Sequence, residues 1–147
     1  MYKHILIATD GSETADKGVE AGFGLAKAVG AKVTIITASE PFPVYDLVSK
    51  LGLLKDQEAI DKYDALSKEI ADRILDRAAK VAAGFECEKL HVPNSSPANA
   101  ILETAKARSC DLIILTSNGR RGIERLVLGS QASRVVQAAE TSVLVVR

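Results

Sequence analysis

The residues of this chain best suited to chemistry lie in one stretch, "TSNGRRGIERLVLGSQAS", from Thr116 to Ser133. Glycines stand at 119, 122 and 129, arginines at 120, 121 and 125, and Ser130 directly follows the last glycine. Glycine lacks a Cβ, so backbone N–H groups beside it can approach an anion closely. Gly129 and Ser130 fall where a helix is expected to begin. Unpaired N–H groups and the positive dipole end at such a place attract phosphate. The Ser130 hydroxyl would donate to a phosphate oxygen; its other role is a plain N-cap, which needs no ligand. Of the three arginines, Arg120 is the one expected to face a phosphate, with Glu124 available to pair with the others. The lysine of G-x4-G-K-[ST] is absent, so the stretch is not a P-loop.

A second segment, "ATDGS" at 8–12, follows an apolar run. Asp10 there reads in two ways. It can accept from ribose hydroxyls or a base amine, or it can serve as a turn carboxylate, because Asp-Gly is a common turn pair. The segment lacks G-x-G-x-x-G, which argues against a Rossmann dinucleotide site. His4 and His91 have no evident carboxylate or serine partner and read as structural. No His, Cys, Asp or Glu cluster has metal-ligand spacing. Cys87 and Cys110 read as two thiols of a reducing cytosol.

The elements that must position these residues follow from hydrophobic patterning. "ILIAT" (5–9), "VTIIT" (33–37), "DLIILTS" (111–117) and "SVLVV" (142–146) are continuous apolar runs, as expected of strands covered on both faces. "FECEKLHV" (85–92) alternates and predicts a half-exposed edge strand. Between them lie helical patterns. Residues 12–29 begin at the candidate cap Ser12 and stop at Gly30. Residues 57–83 repeat Tyr63, Leu66, Ile70, Ile74, Ala78 and Val81. A helix opened by Ser96-Pro97 carries Ala98, Ile101, Leu102 and Ala105. The last, after Ser130, carries Ala132, Val135, Val136 and Ala139. Strict β-α alternation predicts a three-layer α/β sandwich with a parallel sheet. Ligands of such sheets bind beyond the carboxyl ends of strands, where strand order reverses. If the first and fourth strands are neighbours, "ATDGS" and the glycine stretch face one crevice. Residues 39–56 form the one irregular stretch, read either as a functional loop or as a connector.

The chain's 147 residues predict one domain over 1–147. It is 47% hydrophobic and 26% charged, with formal net charge zero, which argues against a broadly basic nucleic-acid binder. It shows no leader-like pattern and no apolar run near the length of a membrane span, so neither secretion nor a membrane partner is expected.

Taken together, "HILIATDGSETA", "ARSCDLIILTSNGRRGIERLVLGSQASRVVQAAETSVLVVR" and the β/α order between them resemble the universal stress proteins of the UspA superfamily. ATP-binding members of that family carry G-x2-G-x9-G-[ST]. Here the pattern is T-x2-G-x9-G-S, with Thr116 at the first glycine, then Gly119 and Gly129-Ser130. A β-branched residue there brings bulk and disfavours positive φ, though its hydroxyl can also reach a ribose or phosphate.

The resemblance implies an adenine nucleotide alpha hydrolase-like, Rossmann-like fold: a five-stranded parallel sheet in order 3-2-1-4-5. It implies a cytoplasmic stress-response protein that binds ATP or AMP at the ends of strands 1 and 4. Ala8, Thr9 and Asp10 would line the adenosine pocket, and Ala38 would lie near the base. Leu115 and Thr116 would pass close to the nucleoside. Gly119, Arg120, Gly129, Ser130 and Gln131 would hold phosphates through their N–H groups, with Mg²⁺ bridging phosphate oxygens. A homodimer through the C-terminal strand is also implied, which agrees with "SVLVVR" being an unprotected apolar edge. The alternatives are a nucleotide-free dimeric module of the same fold, and a weak ATP hydrolase or phosphotransferase using Asp10. Neither a Walker lysine nor an evident general base points to strong hydrolysis.

Overall fold

Three of the four continuous apolar runs, 5–9, 33–37 and 111–117, become the inner strands of a five-stranded sheet, where both faces are covered. The fourth, 142–146, expected to be covered likewise, is an edge strand with none of its residues buried. A computed structural model of the chain describes residues 1–42, 57–118 and 127–147. The strands are β1 (His4–Ala8), β2 (Lys32–Ala38), β3 (Glu88–Val92), β4 (Leu112–Thr116) and β5 (Ser142–Val146). The helices are α1 (Glu13–Val29), α2 (Gln57–Val81), α3 (Pro97–Ala107) and α4 (Ser130–Ala138). The sheet is parallel throughout, in the order β3-β2-β1-β4-β5. Ile5, Leu6 and Ile7 pair with Leu112, Ile113 and Ile114, so β1 and β4 are the neighbours between which strand order reverses.

Alternate residues of one strand feed two cores. Ile5, Ile7, Val33, Ile35 and Ile114 pack with Val19 and Phe23 of α1 and Leu75 and Ala78 of α2. Leu6, Ile36, Ile113 and Leu115 pack on the other side with Ala98 and Ile101 of α3 and Val135 of α4. This alternation is the period-2 geometry of a strand, and it produces three layers.

Local signals place the helix ends. The Ser12 hydroxyl accepts from Ala15 N–H at 3.1 Å, and Gly30 ends α1 in the left-handed conformation. The Ser96 hydroxyl accepts from Asn99 N–H, with Pro97 at the first helical position. Asp111 accepts from the N–H groups of Lys3 and His4 at 2.8 and 3.0 Å, tying the start of β4 to the start of β1.

Three further expectations need correction. The edge strand begins at Glu88, not Phe85; Phe85 instead turns into the core against Phe23, with ring centroids 5.9 Å apart. The buried side of α2 is Ala71, Leu75 and Ala78, while Leu66 and Ile70 are exposed by 56% and 41%. A 25-residue helix is longer than the strands it covers, so only part of it can bury a face against the sheet. Val136 of α4, expected in the core, is likewise exposed. Most of the irregular stretch, 43–56, lies outside the described residues.

Candidate functional site

The crevice opens where β1 and β4 part company. At the end of β1, Thr9 and Asp10 turn the chain into α1. Gly11 takes φ +77°, a conformation that side-chain-bearing residues rarely adopt. Asp10 Oδ1 accepts from Ser12 N–H at 2.9 Å, and Thr9 Oγ1 accepts from Gly11 N–H at 3.2 Å. Asp10 is thus a turn carboxylate and also a lining residue of the crevice, so its two readings are compatible.

At the end of β4, Thr116 is still a strand residue with ordinary φ, and its hydroxyl donates to Asn118 O at 3.2 Å. The Ser117 carbonyl then accepts from Gly129 N–H at 2.7 Å. This bond brings the start of α4 back beside the end of β4. Gly129, not Ser130, is the N-cap of α4, and it offers no side-chain cap. Its φ is −58°, which any residue can adopt; what glycine supplies here is space. A Cβ at 129 would lie 2.9 Å from Ser117 O and 3.3 Å from Asn118 Oδ1. Ser130 is exposed as the first helical residue, so its plain N-cap role is ruled out. The Gln131 side chain points elsewhere than its N–H: its Oε1 accepts from Ala98 N–H at 3.0 Å and joins the starts of α3 and α4.

Ala8, Thr9, Asp10, Ala38, Leu115, Thr116, Gly129, Ser130 and Gln131 all line one cavity of about 580 Å³. Gly119 and Arg120 lie outside the described residues, as do Arg121, Gly122, Glu124 and Arg125. Gly129 cannot offer its N–H to a ligand while Ser117 O holds it. Ser130 and Gln131, in the first turn of α4 where N–H groups have no partner within the helix, line the cavity.

Sequence reasoning missed part of this wall. Ser67, Ile70, Ala71 and Ile74 of α2 line the cavity, as do Ser39 and Glu40 after β2 and Pro97, Ala100 and Ile101 of α3. Apolar period alone could not separate crevice from core in α2. His91 was expected to lack a serine partner, yet its Nε2 lies 2.8 Å from Ser39 Oγ. The pairing of Thr37 with His91 across β2 and β3 brings the two residues together. Burial pushes the His91 imidazole below its usual range, with Asp72 opposing. His4 also has a partner: its Nε2 lies 2.9 Å from Thr34 Oγ1, which donates to the Glu88 carboxylate at 3.1 Å. The Arg108 guanidinium beside Glu88 holds that carboxyl below its usual value. Burial pushes the Cys110 thiol up to about 11, which removes it as a nucleophile near neutral pH. Among the described residues no group of three His, Cys, Asp or Glu could hold a metal ion. Nor does any helix among them have the length and apolarity to cross a membrane.

Comparison with known proteins agrees with this architecture. The universal stress protein family matches residues 1–147. A universal stress protein of Thermus aquaticus is 34% identical, with all of both chains covered. One from Methanocaldococcus jannaschii is 32% identical over all of this chain and 83% of its own. Among solved structures, a universal stress protein in complex with cAMP is 26% identical and superposes with a TM-score of 0.68, covering 99% of this chain and 97% of that one. A match from the first residue to the last, on a sheet that reverses between β1 and β4, makes this chain a member of the universal stress protein family.

Proposed function

We propose that this protein binds an adenine nucleotide, ATP or AMP, in the crevice between the ends of β1 and β4, and acts as a regulatory or sensor module in the cytoplasmic stress response. One observation carries the reading. The first turn of α4, without a side-chain cap, borders a cavity that also receives Thr9 and Asp10. Free N–H groups at a helix start suit phosphate, and the carboxylate of Asp10 suits ribose hydroxyls. The cavity of about 580 Å³ lies within the range of small-molecule sites. A relative solved in complex with cAMP supports the same class of ligand.

Of the cavity's described lining residues, Asp10 and Glu40 are the carboxylates; the other polar donors are hydroxyls and amides. That donor set fits Mg²⁺ held chiefly by phosphate oxygens, where it would neutralise phosphate charge, with Asp10 as the carboxylate nearest the β1 turn. The protein's part is to seat and orient the nucleotide. Nothing in this donor set favours rapid hydrolysis over binding.

The nucleotide-binding reading is tested by purifying the protein without added nucleotide, denaturing it and chromatographing the supernatant. Retained adenine nucleotide is the expected result. Calorimetry that finds no binding of ATP or AMP at millimolar concentration with Mg²⁺ would overturn it.

The fold also supports a homodimer through β5. That strand is at the edge of the sheet, and Leu144 on it is 39% exposed. An open apolar edge is most simply closed by its own copy across a two-fold axis.

A further inference from the structure

The crevice has two chemically different ends. Around the start of α4 it offers N–H groups and hydroxyls. α2 walls it with Ile70, Ala71 and Ile74 beside the single hydroxyl of Ser67, and Ser39, paired with His91 next to α2, lines it as well. With phosphate at α4, the apolar end receives the flat base. An apolar slot selects for a planar ring, but it cannot tell one purine from another without a polar group. Ser39 supplies one. Its N–H is spent on Val92 O and its carbonyl accepts from Ser95 N–H, and its hydroxyl is the side-chain group it brings to a ligand. That hydroxyl is fixed by His91 Nε2 at 2.8 Å.

Building on the nucleotide reading above, we propose that the Ser39–His91 pair determines base specificity, with Ser39 Oγ accepting from the exocyclic amine of adenine. The argument is a count of protons. A serine hydroxyl has one hydrogen and two lone pairs. With the imidazole hydrogen on Nδ1, Nε2 is an acceptor and Ser39 donates to it. The hydroxyl then meets the crevice as an acceptor, which matches an amine and repels a carbonyl. Protonation of His91 reverses this. Nε2 becomes a donor, Ser39 accepts from it, and the serine hydrogen turns outward. Burial favours the neutral imidazole. The charged groups facing His91 from α2 are Asp72 and Lys68, which pair with each other at 2.6 Å. Being on an edge strand, His91 has β2 as its one strand neighbour, and there its register partner is the uncharged Thr37.

The test is calorimetry with AMP and IMP, which differ at the 6-position by amine against carbonyl. At pH 7.5 the protein should prefer AMP by about tenfold, the worth of one well-made hydrogen bond. Ser39→Ala should bind both nucleotides within about twofold of each other, and so should His91→Phe, whose Ser39 hydroxyl is free to turn either way. On acidification through the His91 titration the AMP preference should shrink in the parent protein and stay flat in Ser39→Ala. Circular dichroism checks that each variant is folded. If AMP and IMP bind the parent equally, or Ser39→Ala keeps the preference, the proposal fails while nucleotide binding stands. If neither nucleotide binds the parent, both readings fall together.

Discussion

The Cγ2 methyl of Thr116 rests against Gly18, where a Cβ would lie only 3.0 Å away. Thr116 ends β4 and Gly18 faces it from the buried side of α1. The bulk that a β-branched residue brings to the crevice is therefore accommodated from behind, by the helix rather than by the ligand site. Thr116 keeps ordinary strand torsions, so its departure from glycine costs no backbone strain. Gly18→Ala should destabilise the protein by about 1–2 kcal/mol, because the clash outweighs the helix propensity that alanine gains. In a Thr116→Gly background the same substitution should stabilise by about 1 kcal/mol. Urea unfolding of the four proteins measures the coupling; additive effects would disprove the contact.

The strands were legible because each inner one is a short continuous apolar run, and burial on both faces requires that pattern. Asp10-Gly11 and Gly129-Ser130 were legible because turn and helix-start chemistry is local. What was not legible depended on distance in three dimensions. Gly18 looks like a weak point in a helix until Thr116 is placed beside it. Ile70 and Ile74 satisfy a helical stripe equally well in a core or in a crevice wall. The Ser39–His91 pair spans 52 residues and exists only because β2 and β3 are neighbours.

Gly129 is constrained by space alone. A Cβ there would press on Ser117 O at 2.9 Å, against the carbonyl that holds Gly129 N–H. Gly129→Ala should push the start of α4 away from β4. We expect nucleotide affinity to fall by about tenfold or more, with a stability loss of about 1–3 kcal/mol. Calorimetry and urea unfolding report the two effects separately. Unchanged affinity in a folded variant would remove the first turn of α4 from the binding site.

Asp111 predicts an acid limb of stability. Burial pushes its carboxyl up, but the N–H groups of His4 and Lys3 outweigh that and hold it below the usual value. The unfolded chain takes up this proton near about 3.9. Between that value and the lower folded one, the unfolded state binds more protons, so stability rises with pH. The contribution is complete above about 3.9 and is lost as pH falls through the folded value. Asp111→Asn should flatten this part of the profile, at a cost of about 1 kcal/mol near neutrality. Thermal unfolding between about pH 2.5 and 6 checks it.

The β5 edge predicts assembly. Main-chain groups on the outer side of an edge strand have no partner within their own sheet, and Leu144 adds exposed apolar surface beside them. Val136 on α4, 44% exposed, adds more. Two copies related by a two-fold axis would pair β5 with β5 in antiparallel fashion and bury these side chains against each other. Introducing a charge there should oppose pairing without disturbing the core, because Leu144 belongs to neither buried cluster. Leu144→Lys is therefore expected to sediment as a monomer at concentrations where the parent sediments as a dimer. Its urea midpoint should fall only through the lost association, and so should depend less on protein concentration than the parent's. A parent protein that sediments as a monomer, or a Leu144→Lys variant that remains dimeric, would place any assembly surface elsewhere than β5.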